Sequence, residues 1–176
     1  MKSFNVFLIK RLNMANISIL REKIEAQGFC GLDDRSLTEI NYPLRLAPAI
    51  CMAWTLTGTA LASPAILLAL VPLAFLGAVL PGHPFDVIYN FGLRHLFGTR
   101  ALPAYGFRRR LGCVAASIVL TASASSFQFG VPMVGYVLGS MVAMGTLLNV
   151  TTGLCPPAVV MGLLFGKVVC EREISA

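Results

Sequence analysis

Five cysteines and two histidines are the residues of this chain best suited to chemistry. Cys30, Cys51, Cys113, Cys155 and Cys170 are scattered, and no two form a C-x-x-C arrangement. An odd, scattered set argues against a disulfide framework. A membrane thiol enzyme needs a cysteine pair that can exchange through a mixed disulfide, and no adjacent pair exists. Cys155, next to Pro156, follows an apolar run, where access is expected, and is the candidate redox residue. Cys51 and Cys113 are expected near the same end of their own runs, where a small buried apolar residue is the plainer reading. His83 and His95 are expected at a membrane surface, without metal-ligand spacing to each other or to the cysteines. No phosphate-binding loop, nucleophile elbow, zinc-protease motif or dinucleotide fingerprint is present. No catalytic residue, cofactor or metal site is therefore assigned.

The elements that would position these residues follow from where charge is missing. Of the 176 residues, 56% are hydrophobic and 12% charged, about half the charge of a soluble domain. No Asp, Glu, Lys or Arg occurs between Arg45 and Asp86, a gap of 40 residues, or between Arg110 and Lys167, a gap of 56. Gaps this long imply lipid as the solvent. The net charge of +6 lies around the apolar runs, with +4 in residues 83–110. Lipid headgroups and topology explain that placement better than nucleic acid does.

A single helix over residues 46–85 would be about 60 Å long, twice the ~30 Å hydrocarbon thickness. Two spans fit, broken at Ser63-Pro64, where proline can open a helix. Residues 111–166 need at least two more, broken at Gly130-Val131-Pro132. The expected spans are about 45–62, 64–81, 111–128 and 131–150. The paired prolines Pro156-Pro157 break residues 151–166, which are expected along the interface or folded against the bundle. A fifth crossing is the alternative.

Arg45, Arg94, Arg100, Arg108, Arg109, Arg110, Lys167 and Arg172 all fall on one side if the chain crosses four times. That side is expected to be the cytoplasm, with both termini there. The organisation expected is a cytoplasmic segment 1–43, a transmembrane domain 44–170 and a tail 171–176. Arg45, Arg94 and Arg108–Arg110 are expected at the membrane interface. Asn16 could cap a helix with Ile17, Leu20 and Ile24 on one face, Ser36-Leu37-Thr38-Glu39 matches a capping box, and Met14 is an alternative start. Residues 84–97 read as an amphipathic interfacial helix. Asp86, Asn90 and Arg94 form a stripe towards water, and the aromatics dip into the acyl boundary.

No ionisable residue lies in the four spans, which argues against a proton-coupled pump or a carrier of charged solutes. Their hydroxyls, including Thr55, Thr57, Thr59, Ser117 and Thr146, can bond back to their own helices. Gly135-x-x-x-Gly139-x-x-x-Ala143 lets helix backbones approach closely. Packing within the chain is the expected use, and homodimerisation the alternative.

Four landmarks stand in a characteristic order. They are Asn41 and Arg45 before the first span, Gly82-His83-Pro84 after the second, Phe107-Arg108-Arg109 before the third, and Gly153-Leu154-Cys155 after the fourth. Their order and spacing resemble the domain of unknown function 4395 family of small bacterial inner-membrane proteins, over about residues 40–166. The resemblance implies a multi-span protein with no assigned activity. The family pattern often has a second cysteine three residues after the first, where this chain has Ala158.

The expectation is an all-α membrane protein of four helices in two hairpins, with a cytoplasmic interfacial helix, in the bacterial inner membrane. The first functional reading is a non-enzymatic accessory or structural subunit, with the bilayer and a membrane-protein partner or a second copy around it. The alternatives are a thiol or sulfur-handling protein using Cys155 with Cys113 or Cys51, and a channel or carrier for a small neutral solute lined by the threonines of the first span.

Overall fold

Proline and glycine punctuate the fold. Pro64, Pro84, Pro132 and Pro156 each begin a helix, where a residue without an N–H leaves no intrahelical bond unmade. Gly98 and Gly153 follow helix ends in the left-handed conformation, open to a residue without a Cβ. The computed structural model describes residues 2–166, and every regular element among them is helical. In chain order these are α1 (Lys2–Ala26), α2 (Asp34–Ile40), a 3-10 turn (Pro43–Arg45), α3 (Leu46–Ala60), α4 (Pro64–Val79), α5 (Pro84–Ile88), a π-helical turn (Tyr89–Leu93), α6 (Arg94–Phe97), α7 (Phe107–Gln128), α8 (Pro132–Thr152) and α9 (Pro156–Phe165).

Helices α3, α4, α7 and α8 form a four-membered ring. α3 lies between α4 and α8, and α7 lies between the same two. With 22 and 21 residues, α7 and α8 are long and apolar enough to cross a membrane. A third span arises if α4 and the bent continuation Pro84–Leu96, at 78° to it, count as one. α3 and α4 have 15 and 16 residues. α9 has 10 residues, about 15 Å, and packs back on α7. α7 begins at Phe107, before the expected Leu111, so Arg108–Arg110 belong to its first turn. Lys167, Cys170, Arg172 and the tail 171–176 lie outside the described residues.

Small residues set the helix spacing. A Cβ on Gly135 would stand 2.8 Å from the Phe127 ring of α7, and one on Gly139 would collide with Thr59 of α3. Ser123 Oγ also donates to the Gly135 carbonyl at 2.8 Å, joining α7 to α8 near their turn. Thr57, Ser117 and Thr146 bond back to their own helices. Thr55 and Thr59 do not: their buried hydroxyls have no partner in the structure.

A second core caps the end of the bundle where the chain enters α3 and α7. Ile24, Phe29, Leu37, Leu44, Tyr89 and Tyr105 pack together there, so residues from before α3 share one core with residues from the linker before α7. The cap also closes the C-terminus of α8, whose last carbonyls have no helical partner. Arg45 donates to the Val150 and Thr151 carbonyls at 2.9 and 3.1 Å, Lys23 to Thr152 at 3.1 Å and Gln27 to Gly153 at 2.8 Å. Cations at this end also oppose the helix dipole.

Three local expectations are corrected here. Asn16 is interior to α1 and caps nothing, because the helix continues through it. The box at Ser36–Glu39 does not form, since α2 starts at Asp34 and Ser36 bonds to the Asp33 carboxylate instead. The polar stripe of residues 84–97 turns towards the protein. Asp86 is 3% exposed, while Phe91 and Leu96 are 79% and 80% exposed. Asp86 and Asn90 face inward because they hold the backbone N–H groups of His83 and Leu102.

Candidate functional site

α7 and α8 are clamped near their turn by Phe127 against Gly135. At the opposite end α9 leans on α7, with Cys155 Sγ and Pro157 each 3.5 Å from where a Cβ on Gly112 would lie. Between these contacts the ring encloses a cavity of about 600 Å³, walled by α3, α4, α7, α8 and α9. Its walls are almost wholly apolar, with Leu70, Ala74, Leu120 and Val142 among them. Ala115, Met141 and Val160 also line it and are exposed, so its mouth opens between α7, α8 and α9.

The polar groups gather at the cap end. Cys51 of α3, Cys113 of α7 and Cys155 before α9 all line the cavity, with His83, Tyr105, Arg109 and Asn149. These three cysteines are free thiols. Cys30 is exposed and disulfide-bonded, which its scattered spacing did not suggest.

His83 was expected at the membrane surface but is buried, because it is the N-cap of α5. Its Nδ1 accepts the Phe85 N–H at 3.3 Å, and its own N–H donates to Asp86 Oδ2 at 3.1 Å, a reciprocal capping box. An acceptor Nδ1 places the ring proton on Nε2. That nitrogen lies 3.8 Å from Cys51 Sγ. Burial, and then the Arg109 charge, push His83 down to about 4. It is therefore neutral at pH 7, with its N–H aimed at a sulfur. Gly77 makes this approach possible, since a Cβ there would stand 2.6 Å from His83 Cδ2 and 3.3 Å from Cys113 Sγ.

Arg109 was expected at the lipid interface and is instead buried. It donates to Gln27 Oε1 at 2.9 Å and the Leu44 carbonyl at 2.8 Å. Its guanidinium lies 4.4 Å from the Tyr105 ring centroid and 5.6 Å from that of Phe29. The reason is composition: the cap offers a carbonyl, an amide and two rings, all better partners than lipid for a cation. Arg108 and Arg110 bond to the Gly166 and Tyr105 carbonyls, and Arg94 to His95.

Cys155, expected to be accessible, is 8% exposed. The fold back of α9 onto α7 covers it. Burial raises its thiol pKa, against the pull of Arg109, the Ala158 N–H and Asn149. Burial likewise raises Asp86, against Tyr105 and Arg109. The site thus sets three thiols and a neutral imidazole beside a buried cation. Among the described residues, no three His, Cys, Asp or Glu side chains are placed to hold a metal ion.

Sequence reasoning missed His83 and Arg109 as site residues. Both left a signal. Pro84 at the first helical position marks His83 as an N-cap. Arg109, Cys113 and Ser117 recur every four residues, so they share one face of α7.

A family model described as Domain of unknown function (DUF4395) matches residues 41–165, and the chain belongs to that family. The match spans the ring, the cavity and α9, and begins at Asn41. No curated protein and no solved structure matches the chain.

Proposed function

We propose that this member of the family is a four-span protein of the bacterial inner membrane that performs thiol–disulfide exchange in the cap-end cavity. Both termini face the cytoplasm. The convergence of three free thiols from separate elements on one cavity, beside a neutral imidazole, carries this reading. It favours the thiol alternative over an accessory subunit. Thr59 is buried beneath Gly139 and does not line the cavity, so a threonine-lined path for a solute has less support.

Four spans follow from the placement of charge and turns. Arg45, Arg109 and Lys23 bond at the cap end, while the uncharged turns after α3 and α7 lie at the other. At ~1.5 Å per residue, α3 and α4 cover about 23 Å each, and flanking turns and local thinning supply the rest.

The step is conventional. A thiolate formed from Cys113 attacks a disulfide sulfur of a partner thiol protein. The partner's S–S bond breaks, a mixed disulfide forms, and the leaving thiolate takes the proton. Cys51 or Cys155 then displaces the partner, leaving an internal disulfide and a reduced partner. The exchange is reversible: in the opposite direction a partner dithiol reduces that internal disulfide and leaves oxidised, returning two thiols to the chain. His83 Nε2–H stabilises sulfur charge developing at Cys51.

The test is equilibration of the detergent-purified chain in glutathione buffers of graded potential, followed by alkylation and mass spectrometry. The expected result is a reversible two-electron transition of Cys51, Cys113 and Cys155, separated by peptide mass from any reduction of the Cys30 disulfide and lost in Cys113→Ser. Three thiols that stay reduced throughout, with full function of the triple serine variant in the cell, would remove the proposal.

A further inference from the structure

We infer that the cavity is the binding site of a membrane quinone, whose head lies among His83, Arg109 and the three thiols and whose tail leaves between α7, α8 and α9. This deepens the thiol reading above and rests on it for the redox step, but the binding claim can be tested by itself.

The volume argues for an occupant. Interiors pack with few voids larger than water, and ligand sites measure about 300–1,000 Å³. A cavity of about 600 Å³ falls in that range. Its walls argue for a lipophile, since the lining is aliphatic and the mouth residues Ala115, Met141 and Val160 lie on outward faces. Those faces meet lipid if α7 and α8 cross the membrane.

The closed end argues for a neutral head with hydrogen-bond acceptors. Arg109 uses two N–H groups on Gln27 and Leu44, and a guanidinium has five. His83 directs Nε2 into the site. Thr55 lines the same cavity, is fully buried, and its hydroxyl has no partner in the structure. A buried hydroxyl left so costs free energy that an incoming acceptor recovers. The Arg109 guanidinium is already engaged by the Gln27 amide oxygen, the Leu44 carbonyl and the Tyr105 ring, so the end does not call for an anionic head such as that of a fatty acid. A quinone carbonyl meets these requirements, and the thiols complete the chemistry. Two thiols give two electrons and two protons to the ring. One S–S bond forms, two S–H bonds break, and the quinone becomes the quinol.

The chain carries its own reporter. Trp54 is the only tryptophan. It stands three residues from Cys51, and both pack against the same buried cluster of the bundle. Titration of the full-length protein in nanodiscs with decyl-ubiquinone should quench Trp54 fluorescence saturably. The control is Gly145→Phe. Gly145 lines the cavity, and a Cβ there meets nothing within 4 Å, so the ring fills the void without a clash. It should weaken quenching at least tenfold, with the thermal midpoint unchanged or raised. Thr55→Val should weaken it less. A triple Cys→Ser variant should still show saturable quenching but form no quinol, whereas the wild type loses two thiols per quinol. Quenching that never saturates, or that is equal in Gly145→Phe, overturns the inference. So does displacement of the quinone by palmitate at equal concentration, which would assign the site to an anionic lipid. Thiols that titrate in glutathione buffers while decyl-ubiquinone neither binds nor is reduced would sink this inference and leave the proposed function standing. Saturable binding of decyl-ubiquinone by a chain whose three thiols stay reduced in every glutathione buffer would leave the binding site standing and sink the proposed function.

Discussion

The cap and the bundle are both helical and both buried, yet they are built to opposite ends. The cap is filled. Leu37 and Ile40 are inaccessible, Phe29 and Tyr105 meet edge to face, and Arg109 ties three chain segments together. The bundle is clamped at one end by glycines and left hollow at the other. Large side chains in water-facing cores gain stability by excluding solvent. Between membrane-crossing helices, as proposed for this bundle, that gain is absent and close backbone approach takes its place. A bundle so placed can keep a cavity that the cap could not tolerate.

The sharpest way to break this comparison is to remove the tie. Arg109→Met leaves Gln27 Oε1 and the Leu44 carbonyl buried without donors. Loss of one side of a buried charged network costs about 3–5 kcal/mol. The expected outcome is a large fall in the thermal midpoint in detergent and new protease cleavage within the cap. A midpoint within a degree of wild type would show that cap and bundle are held by other contacts.

Next in size is Leu37→Ala, which should cost about 2–5 kcal/mol in the filled cap. Gly145→Ala in the hollow bundle should be neutral or gain up to about 1 kcal/mol from helix propensity. Gly139→Ala, one and a half turns away, should instead lose about 1–3 kcal/mol through overpacking against Thr59. If Gly139→Ala and Gly145→Ala behave alike, the hollow and clamped ends of α8 do not differ.

His83 links the two regions and should make their union pH-dependent. Its folded pKa of about 4 lies below the ordinary 6.5. Folding therefore favours the neutral ring, and its contribution is complete above pH 6.5 and lost as pH falls towards 4. The slope in that window approaches ~1.4 kcal/mol per pH unit. Thermal midpoints should fall across it in the wild type and flatten in His83→Asn, which keeps a capping acceptor. The smallest effect concerns the far turn, where Ala62 holds φ at 45°. Ala62→Gly should relieve about 1 kcal/mol of left-handed strain, without altering cap or cavity.

Much of this fold was legible in residue order. Pro64 and Pro132 marked where α4 and α8 begin, because each lacks the N–H that an interior position needs, whereas Pro156 and Pro157, read as a break, open α9 themselves. Arg45 and the run Arg108–Arg110 marked the cap end. The faces were harder to read. The stripe Asp86, Asn90 and Arg94 has the spacing of a water-facing edge, and nothing local says that its groups cap backbone N–H groups inside the protein. Cys155 looked accessible because the fold of α9 onto α7 is a long-range contact with no local signature. Arg109 looked like its neighbours Arg108 and Arg110, since periodicity fixes a face but not what lies opposite it.

The order of residues alone determined helices, turns and the end at which cations gather, because those depend on backbone chemistry and the solvent that each stretch tolerates. Only the tertiary structure decided that Cys51, Cys113 and Cys155 share a cavity, that His83 points its N–H at sulfur, and that a buried arginine closes the site. Residues 51, 83, 113 and 155 are far apart in the chain, and their meeting depends on how four helices settle around glycines. That is a property of packed surfaces, and no segment read by itself contains it.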